Sequence, residues 1–301
     1  MKAYLTALRA PFLTGSIIPV IIGAVLALED KHLFLPLPFL VTLIGVAALH
    51  LGANLMNDYW DAKGSDPLNV RLTPFSGGSR VIQNKEIAPS LILIMSLVFF
   101  AIGLICGIWL TRFGRPLVIP LGLLGLAAGW SYSSPPLQLM SRGVGELVIF
   151  WAFGPLITLG AYYVIAGTLS WQAFIIGIPQ GFLIMAVIWI NQFPDYKADR
   201  EAGKRNLVVR FGPKNSRYFY ILMMAAAFIF VTLWVAFMGI SYLTMLTFIS
   251  FPLALKAMRI LWKHYLSHEA LIPAQALTIQ TLLAHGLLLS LGLLLSRFIH
   301  V

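Results

Sequence analysis

Long apolar segments recur from one end of this chain to the other, and they constrain the fold more than any other feature. We place nine of them near residues 12–28, 36–56, 88–110, 116–133, 144–165, 171–193, 218–238, 241–261 and 276–297. A helix needs about 20 apolar residues to cross a bilayer, so each segment predicts one transmembrane helix. The sequence therefore predicts an all-α polytopic membrane protein. We expect one domain over residues 1–301, with nine transmembrane helices around a central cavity that opens near the cytoplasmic face.

Composition excludes other classes of protein. The chain is 59% hydrophobic and only 11% charged, whereas about 25% of the residues in a soluble domain are charged. The apolar segments lack the alternating polar residues of a transmembrane β-barrel. A single cysteine, Cys106, excludes a disulfide framework or a thiolate metal cluster. The first segment is not followed by a small-residue cleavage site, so we expect it to remain as a span.

The basic residues indicate how the helices are oriented. With the N-terminus inside, 17 of the 21 Lys and Arg residues fall on the cytoplasmic side, and the other four are Lys31, Arg112, Arg115 and Arg297. This split follows the positive-inside rule and accounts for the net charge of +10 without a nucleic-acid partner. We therefore expect a protein of the cytoplasmic (inner) membrane, with the N-terminus and two long loops, about 57–87 and 194–217, on the cytoplasmic side.

Acidic residues concentrate at the first of these loops, in a chain that has only 11 of them. Asn54, Asp58 and Asp61 follow the spacing i, i+4, i+7, so they share one face if the second helix continues into this stretch. Two carboxylates about 4 Å apart repel by about 4 kcal/mol near a protein surface, which favours a nearby cation. Mg²⁺ typically takes one or two carboxylates together with substrate phosphates. The pattern predicts a phosphate held through magnesium, and it leaves open whether Asp66 binds the metal directly.

A second acidic stretch repeats the first. Asn191, Asp195 and Asp199 follow the spacing i, i+4, i+8, and the pairs Asn54/Asn191 and Asp58/Asp195 are both 137 positions apart. The repeat predicts two pseudo-repeated four-helix halves plus a ninth helix, with each half presenting an acidic helix end to a shared cavity. The plainer alternative is that each acidic pair is a solvated helix end, and the repetition in register argues against it.

Two facing acidic clusters suit a diphosphate ester. Each cluster would hold one Mg²⁺, and Lys and Arg from the same loops would neutralise the remaining charge on the diphosphate. An allylic ester can then ionise to a carbocation, which requires an apolar, water-poor cavity lined by aromatic side chains.

Three segments resemble signatures of the UbiA-type membrane prenyltransferases. The first is Asn54-x-x-Asn57-Asp58-Tyr59-x-Asp61-x-x-x-Ser65-Asp66, followed by Ser76-Gly-Gly-Ser-Arg80. The second is Asp195-x-x-x-Asp199-x-x-x-Gly203-Lys204, and the third is Tyr132-Ser-Ser-Pro-Pro-Leu137 with Ser141-Arg142. The chain departs from the family pattern where Gln138 and Met140 replace common basic residues and where Asn206 replaces a common threonine.

The resemblance implies Mg²⁺-dependent transfer of a polyprenyl group from its allylic diphosphate to an aromatic acceptor, with release of diphosphate. It implies two Mg²⁺ ions, with metal ligands at Asn54, Asp58, Asp61, Asp195 and Asp199. The four aspartates would be catalytic together with Tyr132, whose ring would face the cationic prenyl carbon unless it is only an interfacial anchor. The substrate-binding residues implied are Asn54, Asn57, Lys63, Arg80, Arg142, Asn191 and Lys204.

Within this family, the first motif is most similar to that of the 1,4-dihydroxy-2-naphthoate polyprenyltransferases of menaquinone synthesis. Acceptors such as 4-hydroxybenzoate remain alternatives. A non-enzymatic alternative is an ion-coupled transporter, in which carboxylates would mark an ion path near mid-membrane. The expected partners are the two substrates and membrane lipid, and no nucleic-acid or protein partner is implied.

Overall fold

In the computed structural model, which describes residues 2–298, the chain forms nine helical segments that we number in chain order. Eight of those described are long and apolar enough to cross a membrane, and α4 is a shorter apolar helix. The prediction of an all-α polytopic membrane protein is therefore confirmed. The segments are α1 (Lys2–Lys31), α2 (Pro36–Asp61), α3 (Pro89–Phe113), α4 (Val118–Ser133), α5 (Gly145–Ala166), α6 (Trp171–Glu201), α7 (Leu207–Phe237), α8 (Tyr242–His264) and α9 (His268–Ser296).

Several helices continue well beyond their apolar segments. Both acidic stretches are helical, because α2 runs to Asp61 and α6 runs to Glu201. The prediction of a second long loop over 194–217 is wrong, since only residues 202–206 separate α6 from α7. Hydropathy marks where a helix leaves the lipid, whereas its backbone hydrogen bonds continue until a stop signal. Here Gly203, with φ 76°, follows α6, and the Asn206 side chain accepts a hydrogen bond from Val209 N to begin α7.

Three local irregularities shape the interior of the bundle. Arg9, with φ 51°, interrupts α1, so the helical residues before it do not continue the axis of the residues that follow. A π-helical turn at Ala152–Leu156 interrupts α5 around Pro155, which has no backbone N–H to donate. Gly212, with φ 74° and followed by Pro213, bends α7. The first two irregularities place Arg9 and Phe153 on the wall of the cavity described below.

A buried apolar cluster joins the last four helices. Trp189, Tyr220, Ala257 and Leu271, one from each of α6 to α9, belong to a single buried apolar cluster. A second cluster joins α1 and α5 and includes Ile22 and Tyr162. The α1 and α5 backbones approach closely there, because a Cβ on Gly23 would lie 2.3 Å from the carbonyl oxygen of Thr158.

This close approach predicts that Gly23→Ala destabilises the bundle. The added methyl group must push α1 away from α5, and overpacking of this kind costs about 1–3 kcal/mol. We expect a lower thermal unfolding midpoint in detergent. Gly160→Ala is the matched control, since its Cβ would meet no other described atom within 4 Å. Equal midpoints for the two variants would contradict the packing assigned to Gly23.

Candidate functional site

A cavity of about 290 Å³ extends among helices α1 to α6. One end is polar and the remainder is apolar. On α2 the lining residues follow one helical face, from Val41 through Gly45 and Ala53 to Asp61. The deeper wall is open because many of its residues lack side chains, namely Gly45, Gly107, Gly122, Gly125, Gly129 and Gly160.

Lys204 joins the two acidic stretches at the polar end. Its Nζ lies 2.8 Å from Asp61 Oδ1 and 3.4 Å from Asp199 Oδ1. Each carboxylate also accepts an amide hydrogen bond, Asp61 from Asn57 Nδ2 at 3.0 Å and Asp199 from Asn206 Nδ2 at 2.8 Å. Burial alone would lower the pKa of Lys204, but the carboxylates of Asp61 and Asp199 outweigh burial and raise it. Lys204 is therefore a fixed positive charge in the site.

The other two carboxylates on the cavity wall are Asp66 and Asp195. Asp195 Oδ1 accepts a hydrogen bond of 2.7 Å from Asn69 Nδ2, which ties the segment after α2 to α6. Asp66 accepts a hydrogen bond of 3.2 Å from Gln83 Nε2. Burial, together with the nearby carboxylates of Asp61 and Asp58, raises the pKa of Asp66 to about 7. The polar end is thus lined by four carboxylates, those of Asp61, Asp66, Asp195 and Asp199, and by two basic side chains, Arg9 and Lys204.

The remaining residues expected at the site fall into two groups. Asn54, Asn57, Tyr132 and Asn191 line the cavity together with Asp61, Asp195, Asp199 and Lys204. Asp58 is buried beside the cavity but does not line its described wall. It accepts a hydrogen bond from Ser79 N at 3.3 Å and lies 3.9 Å from Arg9 Nη1.

Three basic residues expected to bind substrate also lie off the described wall of the cavity. Lys63 is exposed and donates to the Tyr59 hydroxyl at 2.9 Å. Arg80, with φ 67°, donates to the backbone carbonyl of Asp66. Arg142 is exposed and donates to the Pro136 carbonyl at 2.7 Å. In this structure the three residues bind neighbouring parts of the chain and do not line the described wall of the cavity.

Among the cavity residues that were not predicted from the sequence, three polar ones lie near the acidic cluster. Arg9 and Asn69 belong to no motif that we identified, and only the folded chain brings them to the wall. Asn206 was noted as a departure from the family pattern. Its amide nitrogen reaches Asp199 while its carbonyl oxygen caps α7, so one side chain links the start of α7 to the acidic cluster. Its position two residues after Lys204 was the sequence feature that could have identified it as a site residue.

The polar end fits a hard divalent cation completed by a phosphate. Its donors are carboxylate and amide oxygens, and the buried Oδ2 atom of Asp58 has no hydrogen-bonding partner in the described chain. Within residues 2–298, no three His, Cys, Asp or Glu side chains converge to form a complete metal site. Mg²⁺ commonly takes only one or two carboxylates and fills its remaining positions with water and phosphate oxygens. The donor set therefore suits Mg²⁺ bound together with a diphosphate.

Comparison with known proteins identifies relatives of this chain. The model of the UbiA prenyltransferase family matches residues 16–278. The 1,4-dihydroxy-2-naphthoate octaprenyltransferase of Escherichia coli is 30% identical, over 99% of this chain and 96% of that protein. In fold, a UbiA homologue from Aeropyrum pernix K1 matches with a TM-score of 0.72 at 16% identity, over 93% of this chain and 97% of that one. A UbiA homologue from Archaeoglobus fulgidus bound to GPP and Mg²⁺ matches with a TM-score of 0.55 at 16% identity, over 96% and 99%.

The Asn69–Asp195 hydrogen bond predicts how the segment between α2 and α3 is held. Asn69→Ala removes the amide donor, and a hydrogen bond to a charged group is worth about 1.5–3 kcal/mol. We expect faster amide hydrogen exchange in peptides spanning residues 64–80, measured by mass spectrometry, with unchanged helical content. Asn84→Ala is the control, because Asn84 is exposed and bonds to Glu86 within the same segment. Unchanged exchange in Asn69→Ala would show that this bond does not hold the segment.

Proposed function

Because the chain belongs to the UbiA prenyltransferase family, we propose that it transfers a polyprenyl group from an allylic polyprenyl diphosphate to an aromatic acceptor. One observation supports this proposal most directly. Asp61, Asp66, Asp195, Asp199 and Lys204 meet at one end of a cavity whose other walls are apolar. Such a cavity offers a charged site for the diphosphate and an apolar channel for the prenyl chain.

The diphosphate would bind at the polar end together with Mg²⁺. We assign one Mg²⁺ to Asp61, with Asn54 and Asp58 in support, and a second to Asp195 and Asp199, so that each acidic helix end would hold one ion. Bound Mg²⁺ neutralises a diphosphate and stabilises it as a leaving group. The A. fulgidus homologue, which was solved with GPP and Mg²⁺, supports this assignment.

The chain's own residues would act on both sides of the bond that breaks. Lys204 would donate hydrogen bonds to diphosphate oxygens, where it stabilises the charge that develops as the allylic C–O bond breaks. The electron pair of that bond leaves with the diphosphate. The ring carbon of the acceptor then forms the new C–C bond, and aromaticity returns when that carbon gives its proton to an oxygen of the departed diphosphate. Tyr132 lines the cavity near its polar end, and its ring face suits the transient allylic cation.

The acceptor we favour is 1,4-dihydroxy-2-naphthoate, which would place the enzyme in menaquinone synthesis. The E. coli relative carries this acceptor in its name, and its match covers nearly the whole chain. Another ring acceptor such as 4-hydroxybenzoate is the alternative. The test is to incubate the purified protein with labelled isoprenoid diphosphates and a panel of ring acceptors, and to identify the product by mass. Absence of any prenylated product would overturn the proposal.

The distribution of basic residues supports one orientation in the membrane. The 17-to-4 split of Lys and Arg supports our proposal that the N-terminus and the polar end of the cavity lie on the cytoplasmic side of the cytoplasmic membrane. The 137-residue offset between the two acidic motifs supports a single domain with two pseudo-repeated halves and a ninth helix.

Removing a carboxylate from the polar end should abolish transfer. We expect Asp195→Asn to lower kcat/KM by at least about 100-fold, because the neutral side chain no longer binds the cation or stabilises the leaving group. The thermal midpoint should change little. Glu86→Gln removes an exposed carboxylate of the loop after α2 and should keep full activity. Retained activity of Asp195→Asn at saturating Mg²⁺ would exclude the assigned role.

The glycine-lined wall predicts that a large side chain placed there shortens the prenyl chain that the cavity accepts. A Cβ on Gly122 would meet no described atom within 4 Å, so the side chain in Gly122→Phe can occupy the cavity without displacing the backbone. We expect a selective loss of kcat/KM for long donors, about tenfold or more, and a much smaller loss for geranyl diphosphate. The comparison is a series of donors of increasing length.

Leu124→Phe is the control for that series. Leu124 lies on the same helix but is 59% exposed on the outer surface. This variant should leave the dependence on donor length unchanged. Equal losses for short and long donors in Gly122→Phe would show that the chain does not run past α4.

A further inference from the structure

A histidine lies on the otherwise apolar wall of the cavity. His50 is 8% exposed and lines the cavity from α2. It lies one helical turn from Asn54, away from the acidic end. Its Nδ1 is 2.8 Å from the hydroxyl of Ser16, a fully buried residue of α1. The ring also packs edge-on against Phe153, with 4.8 Å between the ring centroids. The histidine is thus held from two sides within the cavity.

The contacts of Ser16 are compatible with either direction of this bond, and we take the one in which Nδ1–H donates. The Ser16 hydroxyl has one hydrogen, which is within reach of the Leu13 carbonyl at 3.2 Å and of Nδ1 of His50 at 2.8 Å. In the arrangement in which Ser16 donates to Leu13, Nδ1–H of His50 is the donor to Ser16. A neutral imidazole that carries its hydrogen on Nδ1 has a free lone pair on Nε2. Nε2 of His50 has no hydrogen-bonding partner among residues 2–298, and it is not sealed within the protein as Nε2 of His285 is.

A purely structural role does not explain why Nε2 of His50 has no partner. The link between α1 and α2 uses Nδ1 alone, and the contact with Phe153 uses the ring. Buried polar groups are usually satisfied, and an acceptor atom directed into an apolar cavity has no partner until a ligand supplies a hydrogen. Phe153 belongs to the π-helical turn of α5, an irregularity often found at functional sites.

We propose that His50 positions the aromatic acceptor by accepting a hydrogen bond at Nε2 from a ring hydroxyl. The inference rests on the proposed function and adds the residue that selects hydroxylated rings. The edge of Phe153 would contact the ring, and the bond to Ser16 would hold the imidazole in the required tautomer. His50 is thus a positioning residue for the acceptor, while the diphosphate is held by the acidic end.

The test separates the two substrates kinetically. His50→Phe keeps an aromatic ring of similar size but removes the acceptor nitrogen. We expect the KM for a hydroxylated ring acceptor to rise about tenfold or more, with the KM for the prenyl diphosphate unchanged within about twofold. His50→Gln offers an amide oxygen and should recover part of the loss. Ser16→Ala should give a smaller increase in the same KM, because the tautomer is no longer fixed.

A second measurement distinguishes ligand contact from packing. The wild-type enzyme should prefer a hydroxylated ring to its O-methyl analogue, and His50→Phe should lose that preference. Thr42→Val is the matched control, since Thr42 also lines the cavity from α2 but donates its hydrogen to Pro38 O within its own helix. It should retain the wild-type preference.

The other possible results separate failure of the proposed function from failure of the role assigned to His50. If the wild-type protein prenylates no ring acceptor, the proposed function fails. If it does so and His50→Phe keeps both the KM and the preference, only the role of His50 fails. A parallel rise in both KM values, or a lower thermal midpoint with an unchanged preference, would show that His50 is structural and overturn the inference.

Discussion

The contact of Lys204 with Asp61 and Asp199 is the interaction on which the site depends. Carboxylates that line a cavity within a membrane bundle repel one another strongly unless a cation lies among them. The Lys204 ammonium group meets that need by bridging the end of α2 and the end of α6. It thereby joins the two halves of the chain at the place where a charged ligand would enter.

Much of the fold could be predicted from the sequence, because the bilayer fixes the length and polarity of each span. The acidic faces of α2 and α6 followed from helical spacing alone. Spacing gives the face of a helix but not its rotation against neighbours, so it could not show that Asp58 lies behind the wall while Asp61 faces the cavity. The segment after α2 has no periodicity, and neither the reach of Asn69 to Asp195 nor the turn of Arg80 towards Asp66 could be anticipated.

The bundle combines a shared apolar core with a cavity. Helices α6 to α9 share a buried core around Trp189 and Tyr220. The cavity lies among α1 to α6, and glycines form part of its wall on α2 to α5. The core supports the site from one side, and the cavity gives an apolar ligand room to lie along the bundle. The same chain thus combines a firm scaffold with a volume that other side chains could fill.

The brevity of the α6–α7 connection determines which side of the entrance can move. Residues 202–206 join two long helices, and Asn206 is fixed to both Asp199 and the α7 backbone. That side of the entrance is therefore fixed in position. The opposite rim, residues 62–88, is largely irregular, and the Asn69 side chain connects it to Asp195 of α6. Passage of a polar headgroup between the two rims would therefore depend on residues 62–88 and on the bond from Asn69 to Asp195.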